Sequence, residues 1–255
     1  MVGHNQRMLV VALDTTTRTG SVALVRGHRV LAVREGDGGA AHATRLPGDV
    51  LGLLRDQGFE MAEVDVFGVA VGPGSFTGLR IGLASVQGLA FASGKPVVGV
   101  SAFDALAAAA WAARAPGADG PVAMWLDAQR LEVYAAAVRV SGDWDAAIDL
   151  DFEYLDPPSV AAPQAVLDRW SREAWWREAT VAGGGALAYR EVMSSPGGLR
   201  RPILDPTPLL APAIGKLAER LAGRGLGVAP HALKPMYVRR PDAELARDRR
   251  RAGGP

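Results

Sequence analysis

Residues 69–91 read VAVGPGSFTGLRIGLASVQGLAF, and the parsing of this stretch decides the fold. Val66, Phe67, Val69 and Val71, with Gly68 and Ala70 between them, form a β-branched and aromatic run that predicts a strand. Gly72-Pro73-Gly74 breaks it: proline fixes φ and glycine reaches conformations closed to other residues, so a tight turn follows. Ser75 and Thr77 are both suitable N-caps for a helix running to Ser93. On that helix Leu79, Leu83, Val86 and Ala90 share one face, and Gly78, Gly82, Ser85, Leu89 and Ala92 make a neighbouring face of mostly small residues. An interior glycine costs a helix about 1 kcal/mol relative to alanine. Gly78, Gly82 and Gly88 therefore imply the close approach of another backbone, either of the helix's own sheet or of a helix from a second chain. A phosphate loop is the weaker reading, since GPGSFTG is neither GxGxxG nor GxxxxGK[ST].

Outward from this unit, Met8–Leu13, Ser21–Val25 and Val30–Arg34 predict a three-stranded antiparallel meander whose first turn, Asp14 to Gly20, is rich in hydroxyls. A helix is expected from His42 to Gln57, with Leu46, Val50, Leu53 and Leu54 inward. A strand at Val97–Val100 and an alanine-rich helix from Ser101 to Ala113 complete a first lobe, residues 1–115. Pro116–Pro121 marks the boundary, and the pattern restarts in a second lobe, 116–255. VVALDTTTRTGSVALVRG (10–27) and AMWLDAQRLEVYAAAVRVSG (123–142) each carry an apolar run, Leu-Asp, a polar turn and a second apolar run, a weak internal duplication. A strand at Ile148–Tyr154 follows, then one helix from Gln164 to Arg177 carrying Trp170, Trp175 and Trp176 as core residues. Thr180–Ala182 leads into Gly183-Gly184-Gly185 and a helix over Ala186–Met193; Leu209–Ala222 is an amphipathic helix. The arginine-rich end, past about 241, reads as a solvated tail.

Composition narrows the function. The chain has 255 residues, 28 basic and 27 acidic, so net charge selects no partner. Without cysteine there is no disulfide, thiolate metal site or cysteine nucleophile. No signal peptide is evident and no window reaches the ~18 uninterrupted apolar residues of a membrane span, so a cytoplasmic protein is expected. His4, His28, His42 and His231 have no metal-ligand spacing, and Ser75 only loosely imitates a nucleophile elbow.

Two lobes, each opened by a strand ending in Asp and a polar turn, suggest the two-lobed actin-like ATPase (ribonuclease H-like) α/β fold. In that fold Asp14, Thr15, Thr16 and Ser21 would be the first-lobe nucleotide candidates, Asp127 the second-lobe acid, and Gly183, Gly184 and Gly185 the adenosine wrap. The turn after Asp127, Ala128-Gln129-Arg130-Leu131, has neither glycine nor hydroxyl, which obstructs a phosphate. An ATP-dependent enzyme is thus an alternative the turn argues against, and a glycoprotease-like peptidase has no catalytic set.

VVALDTTTRTGSVAL (10–24), residues 68–107 around GPGSFTGLRIG, DAQRLEVYAA (127–136) and KPMYVRRP (234–241) together resemble the TsaB (YeaZ) family. The resemblance implies a degenerate relative of the transferase TsaD, acting without catalysis of its own in threonylcarbamoyladenosine (t6A) modification of tRNA. It also implies partners: TsaD, bound through the two helices of the first lobe, the ATPase TsaE, tRNA through the complex, and a homodimer through the same surface. ATP or ADP at the lobe junction is the only cofactor it suggests. The expected interface is Phe76, Leu79, Arg80, Leu83 and Val86, with Gly78 and Gly82 setting the approach, so that Gly82→Leu should abolish partner binding and leave the monomer folded. The first helix departs from the family's usual His-Ser-acid opening, reading His42-Ala43-Thr44-Arg45-Leu46-Pro47-Gly48.

Overall fold

The computed structural model describes residues 7–36, 42–114, 119–142, 150–194 and 201–239. The leader before Arg7, the boundary at 115–118, the acidic run at 143–149 and the arginine-rich tail from 240 lie outside them.

The first sheet contains β1 (Leu9–Asp14), β2 (Ser21–Arg26), β3 (Arg29–Glu35), β4 (Val66–Gly72) and β5 (Val97–Ser101), in the order β3-β2-β1-β4-β5. The expected meander is present: β1 pairs antiparallel with β2, and β2 with β3. Gly27 and His28, at φ 58° and 63°, make the two-residue hairpin turn whose twist suits antiparallel strands. Parallel pairing of β1 with β4 and of β4 with β5 requires crossovers. These are α1 (His42–Asp56) and α2 (Phe76–Ser93); α3 (Ala102–Ala113) follows β5.

Alternation along the strands sorts the two faces. Leu9, Val11 and Leu13 of β1 pack with Leu46, Val50, Leu53 and Leu54 of α1 and Leu79, Leu83 and Val86 of α2. Val10 and Ala12 face the other way, onto α3 and the C-terminal helix. Of the two candidate caps for α2, Ser75 is the one used: its Oγ accepts the Gly78 N–H at 3.3 Å. Gly94, left-handed at φ 66°, ends the helix.

The second sheet repeats the first. β6 (Val122–Asp127) pairs antiparallel with β7 (Val133–Ser141), β7 with β8 (Asp151–Ala161), and β6 pairs parallel with β9 (Thr180–Ala182), giving the order β8-β7-β6-β9. This matches β3-β2-β1-β4 strand for strand, and two such mixed sheets flanked by helices make the actin-like ATPase fold. β8 is longer than expected and carries Pro157 and Pro158, which an edge strand tolerates because one side needs no ladder donors. The single helix expected over 164–177 is instead α4 (Pro163–Trp170) and a 3₁₀ turn at Ala174–Glu178. The break lets Trp175 and Trp176 fold back on Trp170, with ring centroids 5.7 and 5.6 Å away, and Trp170 and Trp176 are fully buried as the sequence suggested.

The boundary expected near residue 116 divides the two sheets, but not the whole chain. After α5 (Gly184–Ala188) and α6 (Arg190–Met193), α7 (Ala211–Gly223) crosses back and lies on β1, β2 and β4. Its apolar stripe, Ile214, Leu217 and Ala218, fills the open face of the first sheet. Val228 then bridges to Val97, and the Met236 N–H donates to Val71 O at 2.7 Å. The first lobe is therefore built from both ends of the chain, with α7 and α3 sharing the second face of its sheet.

Candidate functional site

The β1–β2 turn is closed on itself. Asp14 Oδ1 accepts the Thr16 N–H at 2.8 Å and the Thr16 hydroxyl at 2.6 Å, and Oδ2 accepts the Thr17 hydroxyl at 2.6 Å. Asp14 and Thr15 are inaccessible to solvent. Ser21 Oγ accepts the Ala211 N–H at 3.2 Å, so this hydroxyl serves the first turn of α7.

The cover over this turn is α2. A Cβ on Gly78 would lie 2.2 Å from Thr15 O, and one on Gly82 would lie 2.1 Å from Thr15 Oγ1. Leu79, Leu83 and Val86 are buried in the core beside them. The interface expected at these positions is corrected accordingly: Gly78, Leu79, Gly82, Leu83 and Val86 are covered by their own chain, and the close approach that the glycines allow is to the Asp14 turn. Gly82→Leu would therefore disrupt the monomer. Of the expected set, Phe76 and Arg80 are exposed, and Arg80 lies 4.0 Å over the Phe76 ring.

The second turn copies the first in hydrogen bonds and differs in setting. Asp127 Oδ1 accepts the Gln129 N–H at 2.8 Å and Oδ2 accepts Gln129 Nε2 at 2.6 Å, but Asp127 is exposed. Gln129, Arg130 and Leu131 are all left-handed, at φ 58°, 56° and 61°, which is strained for side chains other than glycine. Gly183 and Gly185 are used in packing: added Cβ atoms would lie 2.3 and 2.9 Å from Trp125 O. Gly184 is exposed.

These residues do not fit a magnesium nucleotide. The Asp14 carboxylate has its three donors and no access, Ser21 is engaged with α7, and Gly183 and Gly185 are pressed on β6. Among the described residues no cluster of three His, Asp or Glu could hold a metal ion.

A cavity of about 380 Å³ opens elsewhere between the lobes. The first turn of α2 gives it Phe76 and Arg80, the β6–β7 turn gives Gln129 and Arg130, and the C-terminal segment gives Tyr237 and Arg239. Arg239 ties that segment to the second lobe, donating to Ala128 O at 3.0 Å and pairing with Glu132. Tyr134 lines the wall, its phenol held above its ordinary pKa mainly by burial, with Arg239 opposing and Glu132 adding. This convergence was not legible in the sequence: KPMYVRRP is a conspicuous motif, but nothing in it says which turn of the other lobe it meets.

The outer surface of α1 and α2 is a second feature. Ala84, Gly88 and Phe91 recur at offsets of 4 and 3 on the exposed side of α2, with Ile81 half-buried beside them. Phe91 is 81% exposed, and Leu51, on the neighbouring α1, is 52% exposed. Cβ atoms on Gly88 and on Gly48 of α1 would meet nothing within 4 Å. Glycines with open space above them, on two packed helices that also expose Leu51 and Phe91, form a surface another helix could approach closely.

The family model for TsaD, tRNA N6-adenosine threonylcarbamoyltransferase, matches residues 37–156. The tRNA threonylcarbamoyladenosine biosynthesis protein TsaB of Escherichia coli is 31% identical over 91% of this chain and 95% of its own. An uncharacterised protein of Mycobacterium tuberculosis is 32% identical over 92% of this chain and 93% of its own. Among solved structures, YeaZ from Pseudomonas aeruginosa superposes with a TM-score of 0.71 at 32% identity, covering 90% of this chain and 99% of that one.

Proposed function

We propose that this chain, which belongs to the TsaB (YeaZ) family of tRNA threonylcarbamoyladenosine biosynthesis proteins, is a docking subunit with no catalytic activity of its own. Its partner is the threonylcarbamoyltransferase TsaD, and the complex, joined by TsaE, modifies the adenosine next to the anticodon of tRNA. The observation that carries this reading is the outer face of α2, where Ala84, Gly88 and Phe91 stand exposed and Gly88 has open space above it, with Leu51 exposed on the neighbouring α1. The expected interface keeps its two helices and changes its residues. The inward stripe holds the monomer together, and the outward stripe is left for a partner. The same face would serve a homodimer of the isolated protein, which TsaD would displace.

The Asp14 turn supports the non-catalytic part of the reading, since the acid of the first lobe is spent on Thr16 and Thr17. ATP or ADP acting in the complex is then held by other subunits.

The test is size-exclusion chromatography of the protein mixed with TsaD of the same organism, followed by the tRNA modification assay. Co-elution, with modification lost when this chain is omitted, is the expected result. Gly88→Leu should abolish co-elution while the monomer stays at least as stable as the parent, because its side chain would enter open space and the helix would lose an interior glycine. Modification that proceeds without this chain overturns the function; co-elution undiminished by Gly88→Leu overturns the docking face.

A further inference from the structure

We infer that the cavity between the first turn of α2, the β6–β7 turn and residues 236–239 binds one nucleotide of an RNA strand, with the phosphate on Arg80 and the base against the rings of Phe76, Tyr134 and Tyr237. Four observations converge there. First, the charge is one-sided: Arg80, Arg130 and Arg239 line the cavity, and none of its described lining residues is acidic. Arg239 is committed to Ala128 and Glu132, whereas Arg80 makes no ion pair with a described residue. The contact with the Phe76 ring holds the Arg80 guanidinium at the cavity and leaves its N–H groups for an anion, the fork that suits a phosphate.

Second, α2 begins at Phe76, and its positive end adds to the attraction for a phosphate at the same place. Third, Phe76 and Tyr237 are 45% and 37% exposed, although they already pair at a centroid distance of 5.8 Å. Aromatic rings left open next to a bare guanidinium are the composition of single-strand nucleic-acid sites, where bases stack on rings while cations hold the backbone. Fourth, about 380 Å³ lies at the small end of the ~300–1,000 Å³ range of small-molecule sites, suited to one nucleotide rather than a duplex. The left-handed run at Gln129–Leu131 keeps the second-lobe wall in a backbone conformation that such residues adopt at a cost.

A free nucleoside phosphate offers the same chemistry as one nucleotide of a strand, so both are measured. The isolated full chain is titrated with a fluorescently labelled single-stranded RNA hexamer by anisotropy, and with ADP by equilibrium dialysis. Binding of the hexamer, or of ADP alone, identifies the source. In either case Arg80→Ala should weaken it about tenfold or more, Arg80→Lys less, and Tyr237→Ala by a similar factor through lost stacking. For the hexamer, Arg80→Ala should also lower the slope of log K against log salt by about 0.7, the contribution of one phosphate contact on a single strand.

Arg29→Ala, in the separate cluster of Arg7, Arg26 and Arg29, should change nothing. The proposal fails if neither ligand binds at millimolar concentration, if binding survives both Arg80→Ala and Tyr237→Ala, or if Arg29→Ala is the variant that loses it. It also fails if an acidic hexapeptide displaces the RNA at equal concentration, since charge alone would then be read. No TsaD is present in these measurements, so their outcome is independent of the docking face.

Discussion

The contact between Thr15 and Gly82 allows a sharp test of what the small residues of α2 are for. In Gly82→Ala the new methyl would lie 2.1 Å from Thr15 Oγ1 and 3.2 Å from both Thr15 Cβ and Cγ2. The substitution should gain about 1 kcal/mol of helix propensity and lose more to overpacking, about 1–3 kcal/mol or above in a filled site. Thr15 Oγ1 is itself buried without a hydrogen-bond partner among the described residues, so removing it relieves a standing penalty. Thr15→Ala removes Oγ1, the closest obstructing atom, and Cγ2, and leaves only Cβ at 3.2 Å. The double variant Thr15→Ala/Gly82→Ala should therefore recover most of the loss, with a coupling energy of about 1–3 kcal/mol in urea unfolding. Gly78→Ala is the control: its methyl would strike the Thr15 carbonyl oxygen at 2.2 Å, which no side-chain truncation moves, so Thr15→Ala should not rescue it. Additive energies for the first pair, or a Gly82→Ala variant as stable as the parent, would refute the assignment of this stripe to the chain's own turn.

Three further outcomes follow from other contacts. Glu219, buried on α7, accepts the Gly27 and His28 N–H groups at 2.9 and 2.6 Å, so Glu219→Ala should cost about 1–3 kcal/mol in chemical unfolding, mostly through the two orphaned donors of the β2–β3 hairpin. Asp14→Ala should cost about as much, with up to three donors unpaired, while Asp127→Ala, exposed to water, should stay below about 1 kcal/mol; equal losses would contradict the difference in burial. Asp104 has its pKa raised, chiefly by burial, against the opposing Tyr154 hydrogen bond at 2.5 Å and the Arg220 charge. The folded state then holds this proton more tightly than the unfolded chain, so its contribution to stability is present at low pH and lost as pH rises from the ordinary carboxylate value through the raised one; Asp104→Asn should flatten that fall in pH-dependent unfolding.

Local pattern carried the secondary structure because each predicted element depended on its own residues. The alternation of β1, the Gly72-Pro73-Gly74 break and the Leu46–Val50–Leu53–Leu54 face all survive in the structure. The helix expected over 164–177 instead ends at Trp170, and the break lets the rings of Trp175 and Trp176 gather on Trp170, a tertiary contact that local pattern does not encode. Site residues were harder for the same reason. Glycine at 78, 82 and 88 states that Cβ is absent and leaves open what stands opposite. Gly78 and Gly82 meet Thr15, whereas Gly88 meets open space, and that difference comes from the rotation of α2 over a turn more than sixty residues earlier in the chain. The cavity joins residues near 76, 130 and 237, three places with no sequence relation to each other.

The two aspartate turns are one device in two environments, and the contrast explains why the first is closed to solvent and the second is open. Asp14 and Asp127 each end a strand and each accept, at the same distances, the backbone N–H and the side chain of the residue two positions on. Both turns are thus self-sufficient as hairpins. On the first, Gly74, Gly78 and Gly82 bring the 72–75 turn and α2 down onto Thr15 and Thr16, and a phosphate has no route to the acid. On the second, Ala128, Gln129 and Arg130 line the cavity, and Arg239 donates to Ala128 O. The cover that seals the first turn is the same helix whose opposite face, at Ala84, Gly88 and Phe91, is exposed. An α2 rotated to open the Asp14 turn would have to bury Phe91 and expose Leu79 and Leu83. The apolar stripe at 79, 83 and 86 therefore opposes a nucleotide at Asp14 and, in the same packing, presents Gly88 and Phe91 outward.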